Sequence, residues 1–388
     1  MRYWKILVIL VIILGSIGTY YIQEARAGNK DPEFTFETVN GDANEVENLI
    51  LTGMFVNQQG YGEQIDISTE GTTYQRDLPY LKQLKFYSDP EIERLQREYR
   101  SFMRGKGENS SSFYENKDVL VHVGPSWIEK PETPLQIDIL DKETGKENAF
   151  EAEIPENQNA MYLRIVEVQF VNNELHVMTI SDTEEVHVYR MEIEKEAFVG
   201  DQTLDVTKEE TDMDWIQISE LNGSHVMQER DSYIFGILHM QEVQEEENHS
   251  ILHEKMEYAA YHFESGEFLN LDVPKEIEEK DLVPYVDQDT IYFVDTLNNK
   301  LQIKAYSLDE GEIHTMDVQT EEDSIYSNSL IHVQNGTIYL VNYQEERAKL
   351  YVMDAKTEEV LYEGKIGLSN PNDMPEHNHL DFSGMRIK

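Results

Sequence analysis

The 388-residue chain carries 32 Lys+Arg against 76 Asp+Glu, a formal net charge of −44, and no cysteine. That balance excludes nucleic-acid binding, which needs positive potential along a phosphate backbone. Without Cys there is no disulfide, thiolate nucleophile, thiolate zinc site or lipid-modified cysteine anchor.

Residues 1–5 include Arg2 and Lys5, and residues 6–22 contain no charge. A run of this kind sits at the short end of what spans a bilayer, about 17 to 25 helical residues. Ala25-Arg26-Ala27 before Gly28 also satisfies an A-x-A cleavage site. Cleavage there lies well beyond the apolar run, and Tyr20 and Tyr21 fit interfacial anchors, so an uncleaved signal-anchor over 1–27 is preferred to a removed signal. In either case the basic flank places residues 28–388 outside the cytoplasm, with a short cytoplasmic N-terminus. A strongly acidic surface there keeps an exported domain soluble.

From residue 33 to 74 the pattern is strand-like: 34–39, 48–56 and 64–71 alternate apolar and polar side chains. The C-terminal stretch 380–387 alternates in the same way and is expected to join these N-terminal strands in one composite blade, which removes exposed edges.

Over 76–107 the pattern becomes helical. Asp89 precedes Pro90 as an N-cap, and Ile92, Leu95, Tyr99, Phe102 and Met103 recur on one face at about 3.6-residue spacing, with Gly105 as a stop. Arg97, Arg100 and Arg104 fall on another face and form a sustained basic patch on an acidic protein. The structural expectation is that the apolar stripe packs on the sheets and the arginines pair with nearby acids. The functional one is contact with an anionic surface, either lipid headgroups or a cell-wall polyanion.

Beyond residue 112 a strand hairpin recurs, with its clearest copies at 135–146, 258–268, 301–313 and 349–360. Upstream of each lies another strand, at 118–124, 174–181, 232–238, 290–295 and 337–342, several of them preceded by turns such as Asn172-Asn173 and Asn335-Gly336. The spacing from Phe263 to Leu308 and on to Met353 is about 45 residues, the length of one propeller blade. Four strands at a fixed period make an antiparallel blade, and blades bury their faces only by stacking around a ring. In its repeats, and in turns such as Asp141-Lys142-Glu143-Thr144-Gly145, the chain resembles bacterial extracytoplasmic β-propellers; Asp354 to Glu358 departs from that turn at its glycine. The resemblance implies an all-β propeller of about six four-stranded blades, with the helical insertion at 76–107 and an N-terminal transmembrane helix. It implies no chemistry, because propellers host unrelated functions.

Two long insertions are expected, at 194–215 and 240–257. The second reads as an acidic loop in which His249 and His253, four apart, share a helical face and with Glu254 offer divalent-metal ligands. His377 and His379 lie in a Pro/Asn loop near the end.

No nucleophile elbow, zinc-helix motif, phosphate-binding glycine loop or calcium loop occurs, and nothing calls for a cofactor. Repeats, anchor and missing motifs point to a membrane-tethered, non-catalytic binding, sensor or accessory module of the cell envelope, with an envelope protein or cell-wall polymer as partner. Two alternatives stand beside it: a carbohydrate-active or other hydrolase or lyase with axial carboxylates, and a divalent-cation-responsive envelope protein.

Overall fold

A computed structural model describes residues 32–387 apart from 57–59, 61, 84–88, 130–132, 155–159, 207–214, 222–226, 228, 246–247, 279–281, 283, 298–299, 319–327, 345–346 and 370–378. The chain opens with β1 (Phe34–Gly41), β2 (Leu49–Val56), β3 (Gly62–Ser68) and β4 (Gly71–Tyr74). After helix α1 (Pro90–Glu98) come β5 (Phe113–Glu115), β6 (Val119–Gly124), β7 (Trp127–Ile128), β8 (Leu135–Asp141) and β9 (Glu147–Ala152). The third group is β10 (Leu163–Val171), β11 (Glu174–Ser181), β12 (Val186–Glu192) and β13 (Ala197–Leu204). The fourth is β14 (Trp215–Glu220), β15 (Ser232–Glu245), β16 (Asn248–His262) and β17 (Glu267–Leu271). The fifth is β18 (Pro284–Asp287), β19 (Thr290–Leu297), β20 (Lys300–Ser307) and β21 (Ile313–Val318). The sixth is β22 (Asn328–Gln334), β23 (Thr337–Gln344), β24 (Arg347–Asp354) and β25 (Val360–Leu368), and β26 (His379–Ile387) ends the chain.

These strands pair into six antiparallel sheets of four or five strands. First strands of neighbouring sheets touch, β22 with β26 and β18, and β5 with β10, so they form the inner ring of a six-bladed propeller. The alternating side chains explain the ring, since each sheet has an apolar face to bury on either side. Val123 and Ile137 of the second blade meet Ile165 and Val177 of the third, and Met178 and Val188 meet Phe235 and Tyr261 of the fourth. Ile234 and Ala260 then meet Ile291 and Phe293; Leu301 and Ile303 meet Ile338 and Leu340; and Leu350 and Val352 meet Leu51 and Ile65 of the first blade.

The seam between the first and second blades is built differently. Here Ile92, Leu95, Phe102 and Met103 of the helical insertion cover Phe113, Leu120 and Leu140 on the face of the second blade that is turned away from the third. Asp89 caps α1 by accepting a hydrogen bond from the Glu91 amide at 2.8 Å, with Pro90 in the first turn. The helix stops at Glu98, earlier than the apolar stripe suggests, and a turn ending at Gly105 (φ +82°) still keeps Phe102 and Met103 buried. On the first blade Thr52 donates to Asp66 at 2.8 Å, and Arg386 of β26 forms an ion pair with the same carboxylate.

Strands β1 and β26 close the seam between the sixth and first blades. Strand β26 pairs antiparallel with β2, from Leu49 opposite Ile387 to Val56 opposite His379, which is the composite blade expected from the sequence. Strand β1 was expected in that same blade but pairs instead with β25, Phe34 opposite Leu368, as a fifth outer strand on the sixth blade. Its start still holds the first blade, because the Tyr74 hydroxyl donates to the Pro32 carbonyl at 2.6 Å and Phe34 packs near Phe55.

Both expected insertions contain strand. Within 194–215, Ala197–Leu204 is the outer strand β13, paired with β12. Of 240–257, residues 240–245 and 248–257 extend the β15–β16 hairpin, paired out to Glu245 opposite Asn248, where an acidic loop was expected. An antiparallel arm satisfies its own backbone and tolerates charge on its faces, so acidic composition there does not signal a loop. The proposed membrane segment, 1–27, lies outside the described residues; among those described, no helix is long and apolar enough to cross a membrane.

Candidate functional site

The arginines of α1 and the turn after it divide into two groups. Arg94 takes the acids: Glu91 at 2.7 Å, Glu98 at 3.1 Å, and Glu115 of β5. Glu115 also receives Lys142 Nζ at 2.7 Å. Burial alone would raise the Glu115 carboxyl, but the bonds and charges of Arg94 and Lys142 outweigh it and hold the group below the usual carboxylate range. Lys106, at the end of the segment, lies 3.3 Å from Asp138 and 4.1 Å from the Phe102 ring centre, which ties the insertion to the second blade again. Arg97, Arg100 and Arg104 are all exposed, and none forms an ion pair with a described residue. Only Arg97 lies on α1, because the helix ends at Glu98 and Arg100 and Arg104 fall in the turn beyond it, so the three do not share the helical face expected of them. The expected neutralisation therefore falls to Arg94, which the sequence reading passed over, and the three predicted arginines face solvent on a strongly acidic molecule.

The predicted metal ligands do not share a helical face. His249 and His253 lie on strand β16, opposite Gln244 and Met240, and Glu254 falls at the register shift. Four residues of extended strand span about 13 Å, against about 6 Å for one helical turn. Among the described residues no group of three or more His, Asp and Glu side chains is placed to hold a metal ion.

A second constellation, absent from the sequence reading, sits on inner strand β10 where the third blade meets the fourth. Gln169 Nε2 donates to Glu167 at 2.8 Å, and Arg230 Nε lies 3.9 Å from the same carboxyl. The Arg230 amide donates to Gln169 Oε1 at 3.3 Å, so the connection between β14 and β15 is fastened to β10. Arg164 of β10 pairs with Glu220 of β14. Burial pushes the Glu167 carboxyl up to about 7 against the opposing pull of Arg230, and burial together with the Glu167 charge pushes the Tyr233 phenol up as well. A carboxyl poised near neutrality can hold or release a proton under ordinary conditions. The one sequence signal was the placing of Arg164, Glu167 and Gln169 within an otherwise apolar strand.

No family model and no curated protein matches the chain. Among solved structures, the chain is similar to the β-propeller domain of the Trilobed protease from Pyrococcus furiosus, at 11% identity over 84% of this chain and 84% of that one, with TM-score 0.33. It is also similar to TolB from Acinetobacter baumannii (10% identity, 87% and 66% covered, TM-score 0.29) and to acylaminoacyl peptidase from Pyrococcus horikoshii (13% identity, 84% and 45% covered, TM-score 0.34). The chain thus spans just under two thirds of that TolB chain and less than half of the peptidase chain. At these TM-scores the likenesses carry no argument about fold or activity; the architecture rests on the six sheets themselves.

Proposed function

We propose that the chain is a membrane-tethered, extracytoplasmic propeller that serves the cell envelope as a non-catalytic binding or accessory module. Its contact is an anionic surface, engaged through Arg97, Arg100 and Arg104. The observation that carries this reading is the exposure of three arginines, without a described ion-pair partner, on a segment whose other face is clamped to the second blade. Solvated guanidinium groups presented by a fixed segment attract phosphate or carboxylate polymers at little ordering cost. The uncharged run at 6–22 supplies the tether. The test is a pull-down from envelope extracts with the full chain and its Arg97→Ala, Arg100→Ala, Arg104→Ala variant. Capture of a defined partner that the triple variant loses supports the reading, and equal capture by both sinks it.

An enzymatic reading has one observation in its favour, the Glu167, Arg230 and Tyr233 constellation. A hydrolase or lyase acting on a polymer needs its carboxylates open to substrate. The Arg230 side chain is 3% exposed and Glu167 12% exposed, which fits an internal proton-holding tie better than a substrate cleft.

A further inference from the structure

We propose that Trp127 and Tyr162 form a docking platform for a cationic side chain, lysine or arginine, of a partner polypeptide. The platform is separate from the exposed arginines and prefers the opposite charge.

Strand β7 is two residues long and adds to the inner edge of β10, with Ile128 opposite Leu163 and Trp127 opposite Arg164. Alternation sends Ile128 into the core, where it is fully buried, and leaves Trp127 54% exposed. Tyr162, just before β10, is 37% exposed and Met161 is 74% exposed, and the Trp127 and Tyr162 ring centres are 5.3 Å apart. The backbone beneath these rings is fixed at several points. The Ile165 amide donates to the Ser126 carbonyl at 2.9 Å, the Met161 amide to Asp182 Oδ1 at 2.9 Å, and the Asp182 amide to the Tyr162 carbonyl at 3.3 Å. An aromatic pair held out of the core on such a frame is pre-organised for contact.

The charge around the rings selects the occupant. Asp182 lies beside Tyr162, and exposed Glu129 follows two residues after Trp127. The nearest cation in register, Arg164, is engaged by Glu220. Ring faces attract cations through their quadrupole, and the surrounding carboxylates reinforce that preference while repelling anionic polymers. A neutral sugar would stack on the rings and donate hydroxyl hydrogen bonds to the acids, but unlike a cation it gains no charge attraction from them.

The test is fluorescence polarisation on the full chain with a labelled short peptide carrying two arginines, beside its glutamate counterpart and a neutral chito-oligosaccharide. Trp127→Ala is expected to weaken the arginine peptide by about threefold to fivefold, and Trp127→Phe to retain most of the affinity. Glu129→Gln is expected to weaken it less, and the Arg97, Arg100, Arg104 triple variant not at all. Trp127 is exposed, so its variants are expected to melt like the parent, which separates a lost contact from a lost fold. Unchanged affinity in Trp127→Ala would mean that the peptide merely follows the acidic surface, and would overturn the proposal. So would an absence of arginine-peptide binding, or Trp127-dependent binding of the oligosaccharide alone.

Discussion

Glu167 shows how one residue sets a measurable property. A free glutamate titrates at 4.5, whereas burial pushes Glu167 up to about 7. Between those values the folded chain keeps a proton that the unfolded chain has lost. The stability linked to that proton is fully present below the unfolded value and is lost as pH rises through about 7, by up to about 3 kcal/mol. Glu167→Gln removes this titration. Its urea unfolding free energy should therefore fall less than the parent's between about pH 4 and about pH 8, and parallel curves would show that the carboxyl is not perturbed in this way. A smaller case is Glu358, which stands at φ +59° where the matching turn has Gly145 at φ +68°. In both turns the opening aspartate accepts amide hydrogen bonds, Asp141 from Thr144 at 2.8 Å and Asp354 from Thr357 at 2.7 Å. Glu358→Gly should stabilise the chain by about 0.5–1 kcal/mol in thermal or urea melts, because a side chain in the left-handed region is strained. The turns and the Asp89 cap were legible because they are local. Which arginine would find an acid was legible only in part: Glu91 and Glu98 flank Arg94 three and four residues away, whereas Glu115 reaches it from a strand that only the folded ring brings close.

At the scale of elements, alternation with a period of two made most hairpins readable in advance. It did not say which edge a strand would join. Phe34–Gly41 alternates like its neighbours, yet the free outer edge of β25 captures it while β26 takes the first blade. The β15–β16 arm was hidden for another reason, because its acidic composition resembles solvated loop, whereas the pairing of a hairpin is made by backbone hydrogen bonds that composition does not report. The terminal closure is testable at Gly53, next to a register shift in β2, where an added Cβ would lie 2.5 Å from the Asp381 carbonyl oxygen of β26. Gly53→Ala should cost about 1–3 kcal/mol and speed proteolysis of the C-terminal strand, since only backbone can yield there. If melting and proteolysis stay at parental values, β26 is not clamped as described. Loss of the Asp89 cap in Asp89→Ala should cost about 1 kcal/mol, read as a lower thermal midpoint.

The whole molecule is an acidic ring with one unusual seam. Residues of α1 and the turn after it cover the second blade's free face, and Arg97, Arg100 and Arg104 of the same segment are exposed. A chain with net charge −44 has little reason to approach a polyanion except through such a patch. The direct measurement is co-sedimentation of the full chain with anionic and neutral lipid vesicles and with an anionic wall polymer, across a salt series, beside the triple-arginine variant. Each basic residue near an anionic surface contributes about 1 kcal/mol, so removing three should lower association by about two orders of magnitude. The expected result is salt-sensitive binding to an anionic partner that the triple variant loses. Equal binding by parent and variant, or no preference for the anionic partner, would contradict the assignment of this face as the point of contact.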